Sequence, residues 1–577
     1  MLGKIRSAYI IDIIFNNLRN KRKLNIIKYN KKTIFRLNIK EEDFKVYSFL
    51  KEFNEKYNSN IEDIDIFHLG LRRKNLGNEG LKCLSKIKFK ELKYLDLSYN
   101  KISDINALEK FNIAKLEILI LNFNQISNIN VLERVNFTEL RELYLINNII
   151  QNINVLEKVK FPKLEILNFD NYRRSLDSSG NKSGNEISDI SVLEKVNFKY
   201  LKELNFCGNS ISDINVLDKV NFKELQRLDL NNNNINFFFF HSRKLDIKVL
   251  ERVNFEKLLI LNLEGNSISD IDVLKNVKFK QLRVLDLGEN DISDIQFFKE
   301  VNFKYLIKLY IDHNQITDIN VLKDSNFVNL EELDISSNEI TDISVLKNEA
   351  FKNLKELNLT DNKIVNLEIL EKVYFKDLKK LELHGVEIED IKFLEKYEFE
   401  KLESLDLNCN YIKDISSLEN VNFKNLKELD LGQNFISDIK ILERANFENL
   451  EKLNLFQNKI SNINQVRNLK FKELKELNLG ENEISDLKGL ENLEFEKLEI
   501  LKLNYNQISD INSLELVNFE KLKNLRVLDL RGNKITDIKV LKKIKFKRII
   551  LDRNKIPENE ISEIPLFESL ENLYIDD

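Results

Sequence analysis

Apolar residues return along most of this chain in one fixed frame, LxxLxLxxNxIxDIxxLxxVxFxx, with a length of 24 residues. The frame is plain in residues 92–111, 140–161 and 426–447. Its asparagine recurs at Asn266, Asn290, Asn314, Asn338 and Asn362, then at Asn410, Asn434, Asn458, Asn482 and Asn506. Nineteen repeats, some irregular, fit between Asn100 and Asn554. An internal period of this size predicts a stack of small structural units that share one continuous core.

Each position in the frame has a physical role. The LxL triplet predicts a short strand with both leucines on one face, because side chains alternate along a strand. The asparagine offers two donors and an acceptor, enough to satisfy backbone groups where the chain turns. The following isoleucine returns to the core. Asn130-x-x-Glu133, Asn154-x-x-Glu157 and Ser191-x-x-Glu194 are expected to act as capping boxes for a turn or two of helix. Phe137, Phe222, Phe303 and Phe423 are expected to plug the core before the next strand.

These features resemble leucine-rich-repeat proteins, over roughly residues 69–575. The phrase NxISDIxxL, residues 434–442, is most similar to the short-repeat class, which includes a regulatory subunit of type-1 protein phosphatase and the bacterial internalins. The resemblance implies an α/β leucine-rich-repeat solenoid. A curved parallel β-sheet would line the concave face, short helices or turns the convex face, and a small helical cap the N-terminus. It also implies protein binding rather than enzymology.

The frame breaks in three places. At residue 172 a tyrosine stands at the anchor site, a Ser/Gly-rich insert follows over 173–184, and the repeat resumes at Asn185. A second insert, over 236–246, holds four consecutive phenylalanines, expected either to pack back on the solenoid or to form a contact knob. Val386 replaces an anchor asparagine, which reads as local drift. The expected domains are therefore residues 1–65, a helical cap or small basic domain, and residues 66–577, the repeats.

Residues 1–65 lie outside the frame. Ile10, Ile11, Ile14, Phe15 and Leu18 have helical spacing, and residues 44–53 suggest a further helix. Eleven Lys and Arg residues face a single acid, Asp12, over residues 1–40. Residues 8–32, with Ile14-Phe15-x-x-Leu18 and Leu24-x-x-Ile27, are similar to an F-box, the helical module that docks substrate receptors on ubiquitin ligases. Three roles stay open for this segment: plain cap, F-box-like docking module, or basic contact with nucleic acid or an anionic membrane.

Composition narrows the picture. Among 577 residues, 90 Lys and Arg nearly balance 94 Asp and Glu, so general nucleic-acid binding is not expected. Only 3 prolines and 14 glycines suit one regular architecture. Three scattered cysteines, Cys83, Cys207 and Cys409, imply no disulfide framework and favour a reducing compartment, cytoplasmic or nuclear. No apolar stretch approaches the ~20 residues of a membrane span, and no secretory leader is expected. The four histidines, His68, His241, His313 and His384, lie in no nucleophile or metal motif, so no catalytic residue, metal or cofactor is expected.

Numbering the first leucine of the frame 1 and the asparagine 9, positions 3, 5, 7 and 8 should leave the core and face the open side of the sheet. Tyr94, Tyr99, Ile118, Ile120, Phe123, Tyr144 and Ile146 should then form one exposed apolar patch. Between residues 264 and 481 the same positions carry fourteen acids, Asp286, Asp334 and Asp430 among them, against three lysines. Lys502, Arg531, Arg548 and Arg553 follow. The zoning predicts a monomeric protein-binding scaffold whose partner is a protein with a basic, partly apolar surface. The alternatives are a ubiquitin-ligase substrate receptor and a phosphatase regulatory subunit.

Overall fold

Asn124 shows what the repeated asparagine does. Its Nδ2 donates to the carbonyls of Leu121 and Asn122 in its own repeat, at 3.0 and 3.2 Å, and to Leu97 in the repeat before, at 3.1 Å. Its Oδ1 accepts from the Asn100 and Ile102 amides of that earlier repeat, both at 3.0 Å. One side chain thus satisfies backbone groups of two successive turns. The same bonds recur at Asn338, Asn434 and Asn506. These asparagines are buried, where an unmet backbone donor or acceptor costs ~1–3 kcal/mol.

The computed structural model describes residues 41–574 other than 62–63, 172–183, 234–243, 374, 397–398, 492, 494, 519–520, 544–545 and 562–569. The chain divides into two units, Met1–Leu285 and Asp286–Asp577. In the first, helix α1 (Glu41–Tyr57) precedes strand β1 (His68–Gly70) and helix α2 (Gly77–Leu84). The strands β2 (Tyr94–Asp96), β3 (Ile118–Ile120) and β4 (Glu142–Tyr144) follow, then Ile166–Asn168, Glu203–Asn205, Arg227–Asp229 and Ile260–Asn262. All pair in parallel, and residues at the same frame position lie side by side: Tyr94 with Ile118, Leu119 with Leu143, Ile120 with Tyr144. The second unit repeats the plan, from Lys308–Tyr310 through Glu428–Asp430 to a last strand, Leu570–Tyr574. Each unit is a leucine-rich-repeat solenoid.

The strands are three residues long because position 8 reverses the chain. Tyr99, Phe123, Asn147, Ser337, Gln433 and Tyr505 are all left-handed there, with φ between 49° and 59°. Non-glycine residues pay ~1–3 kcal/mol for that conformation, and it persists only where the surroundings over-determine it. Here the asparagine bonds supply the constraint. Beneath the strands, Leu95, Leu97, Leu119, Leu121, Leu143 and Leu145 are inaccessible to solvent. In the second unit Phe399, Phe423, Phe447 and Phe471 form a column with ring centroids 5.9–6.1 Å apart.

The return segments are short 3-10 helices, as at Asn130–Glu133 and Ser344–Lys347. The expected capping boxes do not form. At Asn130–Glu133, Asn154–Glu157 and Ser191–Lys195 the flanking residue is an isoleucine without a side-chain cap. The cap is supplied by position 13: Asn128, Asn152 and Asp189 accept the amides two residues on, each at 2.8 Å. A 3-10 turn is tighter than the α-helical first turn that a capping box requires, so the nearer Asx oxygen wins.

The anchor place interrupted by the first insert is filled at the insert's end. Asn185 takes that place, donating to Leu145 and Phe169 and accepting the Ile150 amide. Asn185 stands 40 residues from Leu145, where Asn148 stands 27 from Leu121, so the insert enters just ahead of the anchor. Residues 234–243 follow an anchor, Asn233, and the frame is regained at Asp246, which bridges Asp213 at position 13, with Leu245 buried beside it. The phenylalanine run lies outside the described residues, as does the F-box-like segment 8–32.

Val386 has a visible consequence. It is buried, and its own amide still bonds the next asparagine, Asn410. A valine side chain can neither accept from nor donate to the repeat before it. In that repeat Ile364 is 9 % exposed, whereas Ile340 and Ile412 are inaccessible.

Candidate functional site

The side of the strands away from the leucines carries the residues that the frame leaves variable. In unit 1, β2, β3 and β4 present Tyr94, Ile118, Ile120 and Tyr144, all half-buried. Tyr94 stacks on His68 of β1 at 3.7 Å, and Tyr99 stacks on Phe123 at 4.2 Å, both nearly parallel. Ile146 departs from the expected patch. It is only 8 % exposed, because the Asn122 side chain accepts its amide at 2.9 Å and holds the turn closed over it. The patch is therefore Tyr94, Ile118, Ile120 and Tyr144 on the strands, with Tyr99 and Phe123 at the turn. Helix α1 packs on α2.

Position 5 separates structural residues from surface ones. An Asp or Asn there accepts the amide two residues later and ends the strand. Asp96 takes Ser98 at 2.8 Å, Asn205 takes Cys207 at 2.7 Å, and Asn478 takes Gly480 at 3.1 Å. Asp286, Asp334 and Asp430, predicted as partner contacts, do the same for Gly288, Ser336 and Gly432 at 3.1, 3.0 and 2.9 Å. Their acidity is thus partly a backbone requirement that Asn meets equally well. Ile120 and Tyr144 meet no such requirement. Tyr144 instead donates to Glu142 at 2.9 Å, and burial together with that carboxylate pushes its phenol well above the usual tyrosine range.

The acidic face of unit 2 is a woven surface rather than a bare one. Asn358 donates to Asp334, and both Asn408 and Asn454 donate to Asp430. The three lysines are paired: Lys308 with Glu332 at 2.5 Å, Lys380 with Glu382 at 2.8 Å, Lys452 with Glu428 at 2.5 Å. A depression of about 380 Å³ lies over these strands, lined by Glu382, Asp406, Glu428, Asp430 and Glu476 with Lys380, Lys452 and Lys502. Burial, with Asp430 and Glu382 close by, raises the Asp406 carboxyl above its ordinary value against the opposing Asn408 amide and His384. The basic end is largely spent internally, since Lys502 pairs with Glu476 and Arg531 with Asp529. No group of three or more His, Cys, Asp or Glu among the described residues is arranged to hold a metal ion.

The family described as "Leucine Rich repeats (2 copies)" matches residues 280–324, 304–348, 400–444, 424–468 and 496–543, and a single-repeat form matches 91–105. Those matches keep the 24-residue step that the strand register and the asparagine bonds repeat. The chain is a leucine-rich-repeat protein. Among solved structures it is similar to an internalin of Listeria monocytogenes, with 28 % identity over 55 % of this chain and 86 % of that one and a TM-score of 0.44. It is also similar to a leucine-rich-repeat protein of Leptospira interrogans, at 21 % identity, 84 % and 95 % coverage and a TM-score of 0.44. A third is a plant peptide hormone receptor in complex with its peptide, at 19 % identity, 86 % and 92 % coverage and a TM-score of 0.44. No curated protein sequence matches the chain. No described helix is long and apolar enough to cross a membrane.

Sequence reasoning missed His68, Arg72 and Arg73 as residues of the variable face. The 24-residue frame carried back from Asn100 falls on Leu76. The strand register instead makes this first step 26 residues, pairing His68 with Tyr94, which sets His68, Arg72 and Arg73 at positions 3, 7 and 8 and Lys74 at the place of the asparagine.

Proposed function

We propose that this leucine-rich-repeat protein is a non-catalytic scaffold that holds a protein partner on the open side of its strands. The observation that carries this is the pair Ile120 and Tyr144. Both stand where an Asp or Asn would end the strand, and both give apolar surface to solvent in its place. Half-exposed aromatic and branched side chains on three adjacent strands have the make-up of interface anchors. The face of unit 2, with more acids than lysines can neutralise, supports a basic surface on a partner through steering of encounter. The unpaired cysteines Cys83, Cys207 and Cys409 fit a reducing compartment.

Cross-linking followed by affinity purification tests the proposal, with the intact chain compared to an Ile120→Asp/Tyr144→Asp variant. A partner recovered with the parent and lost with the variant, at equal thermal stability, is the expected result. The same set of proteins from both would remove this face from function.

A further inference from the structure

The first repeat carries cations that the frame does not require. Its main chain follows the frame: the Lys74 amide donates to Asn100 Oδ1 at 2.9 Å, and Arg73 is left-handed like other position-8 residues, with φ 57°. Its side chains do not. The Lys74 ammonium donates to the Asn58 carbonyl at 2.6 Å and is committed to the end of α1. Arg72 and Arg73 both fold over one ring, their guanidinium carbons 4.7 and 4.8 Å from the centroid of Tyr99. Tyr99 in turn lies on Phe123, with 9° between the ring planes.

Among the described residues these two arginines have no counter-charge. On comparable faces Arg227 is neutralised by Asp229 at 2.9 Å and Arg531 by Asp529 at 2.6 Å, while Arg553 donates to the Tyr505 hydroxyl at 2.8 Å. Arg72 and Arg73 are exposed, and among the described residues neither is paired with a carboxylate. Stacking on an aromatic ring uses the face of a guanidinium and leaves its N–H edge to donate. That edge matches a carboxylate in two parallel hydrogen bonds. A side chain already held on a ring also loses less freedom when it binds. The same corner continues into apolar surface, through His68 stacked on Tyr94 and then Ile118 beside it.

We propose that Arg72, Arg73, Tyr99 and Phe123 form a docking site for an acidic, partly apolar segment of a protein partner. Its carboxylates take the two guanidinium edges, and its apolar side chains lie on Tyr94, Ile118 and Ile120. The apolar half rests on the binding face proposed above; the acidic half is separate, and opposite in charge to what the face of unit 2 would attract.

The test titrates the full chain with three fluorescent probes: a peptide of alternating Glu and Leu, its Lys and Leu counterpart, and a single-stranded oligonucleotide. The Glu–Leu peptide is expected to bind best, and added salt should weaken it. Arg72→Gln/Arg73→Gln should raise its Kd about tenfold or more. Arg72→Lys/Arg73→Lys keeps the charge but not the planar fork, and should recover only part of the loss. Tyr99→Ala removes the platform and should weaken binding with both arginines present. Arg467→Gln, another exposed arginine, should leave Kd unchanged, and unaltered thermal melting of the arginine variants separates binding from folding. Four results would each overturn the proposal: no saturable binding of the Glu–Leu peptide, no change in the double Gln variant, an equal loss from Arg467→Gln, or preference for the oligonucleotide. If the arginine variants bind normally while Ile120→Asp/Tyr144→Asp abolishes partner recovery, the scaffold function stands and this site does not.

Discussion

Asn454 donates its amide to both carboxylate oxygens of Asp430 on the adjacent strand, at 3.0 and 2.9 Å. Asp430 already ends its own strand by accepting the Gly432 amide, so one carboxylate serves a turn and a neighbour together. This dual use accounts for the alternation of Asp and Asn at position 5 without any appeal to a ligand. It also sets a boundary on how much of the acidic face is free to meet one.

Substitution at Asp430 separates the two roles. Asp430→Asn keeps an acceptor for the Gly432 amide and should shift stability by less than ~1 kcal/mol. Asp430→Ala strands that amide and the Asn454 and Asn408 donors, and should cost ~1–3 kcal/mol. Gly432→Ala should also destabilise, because a Cβ there would come 2.5 Å from the Asn408 amide nitrogen. Urea midpoints of the four proteins give the comparison; equal midpoints would show that the woven surface contributes nothing.

The core and the ladder make a second set. Leu429→Ala and Phe423→Ala should each cost ~2–5 kcal/mol, from lost burial and the cavity left behind. Asn434→Ala should cost ~1–3 kcal/mol, since it removes donors to Leu407, Leu431 and Gly432 and the acceptor for the Ile412 amide. If all three unfold with the parent, the frame has been set on the wrong residues.

Asp406 predicts a dependence on pH. Burial raises its carboxyl in the folded chain, so the folded state holds this proton more tightly than the unfolded one. The sign follows from linkage: stability falls as pH climbs from the ordinary carboxylate value through the raised one, and the penalty is complete above it. Asp406→Asn retains the acceptor for the Asn408 amide, a bond of 2.8 Å, and removes the charge. The variant should therefore be more stable than the parent at neutral pH and equal to it in acid. Thermal melting at both pH values checks this, and an unchanged difference between them would contradict it.

Tyr144→Ala should weaken partner binding by ~1–2 kcal/mol, as interface aromatics do, with a small effect on folding because the ring is half-exposed. A loss of stability with binding intact would make Tyr144 a structural residue. Binding measured at rising salt separates the apolar contribution of Tyr144 from any electrostatic one.

The repeat, its strands and its buried leucines were legible because leucine, asparagine and phenylalanine occupy fixed positions in nearly every turn. The hydrogen-bond roles of the short acids were not. A residue such as Asp189 or Asp334 looks like surface charge in a sequence, while its oxygen is used two residues along the backbone. Ile146 was assigned to the open side by alternation alone, and the Asn122 bond that closes the turn over it is set by the neighbouring strand. The resumption of the frame at Asn185, by contrast, was legible, because the isoleucine two residues on and the acid two beyond it return in order, and Asn185 carries the anchor bonds. The candidate face was half legible. Its aromatic residues could be counted, whereas the stacking of Arg72 and Arg73 on Tyr99 depends on a repeat whose marker asparagine is absent.

Because anchor asparagines such as Asn124, Asn338 and Asn434 accept the isoleucine amide of the repeat before them, the stack has a grain. Each turn is closed in part by its successor, so a fault in one asparagine loosens its own turn and the one upstream and spares the one downstream. The chain already holds such a fault, for Val386 coincides with the raised exposure at Ile364 rather than at Ile412. Hydrogen exchange on Asn434→Ala should follow the same direction, with faster exchange at Ile412 and little change at Ile436, which is bonded instead by Asn458. The damage from a lesion in this protein accordingly reaches backward along the chain and not forward.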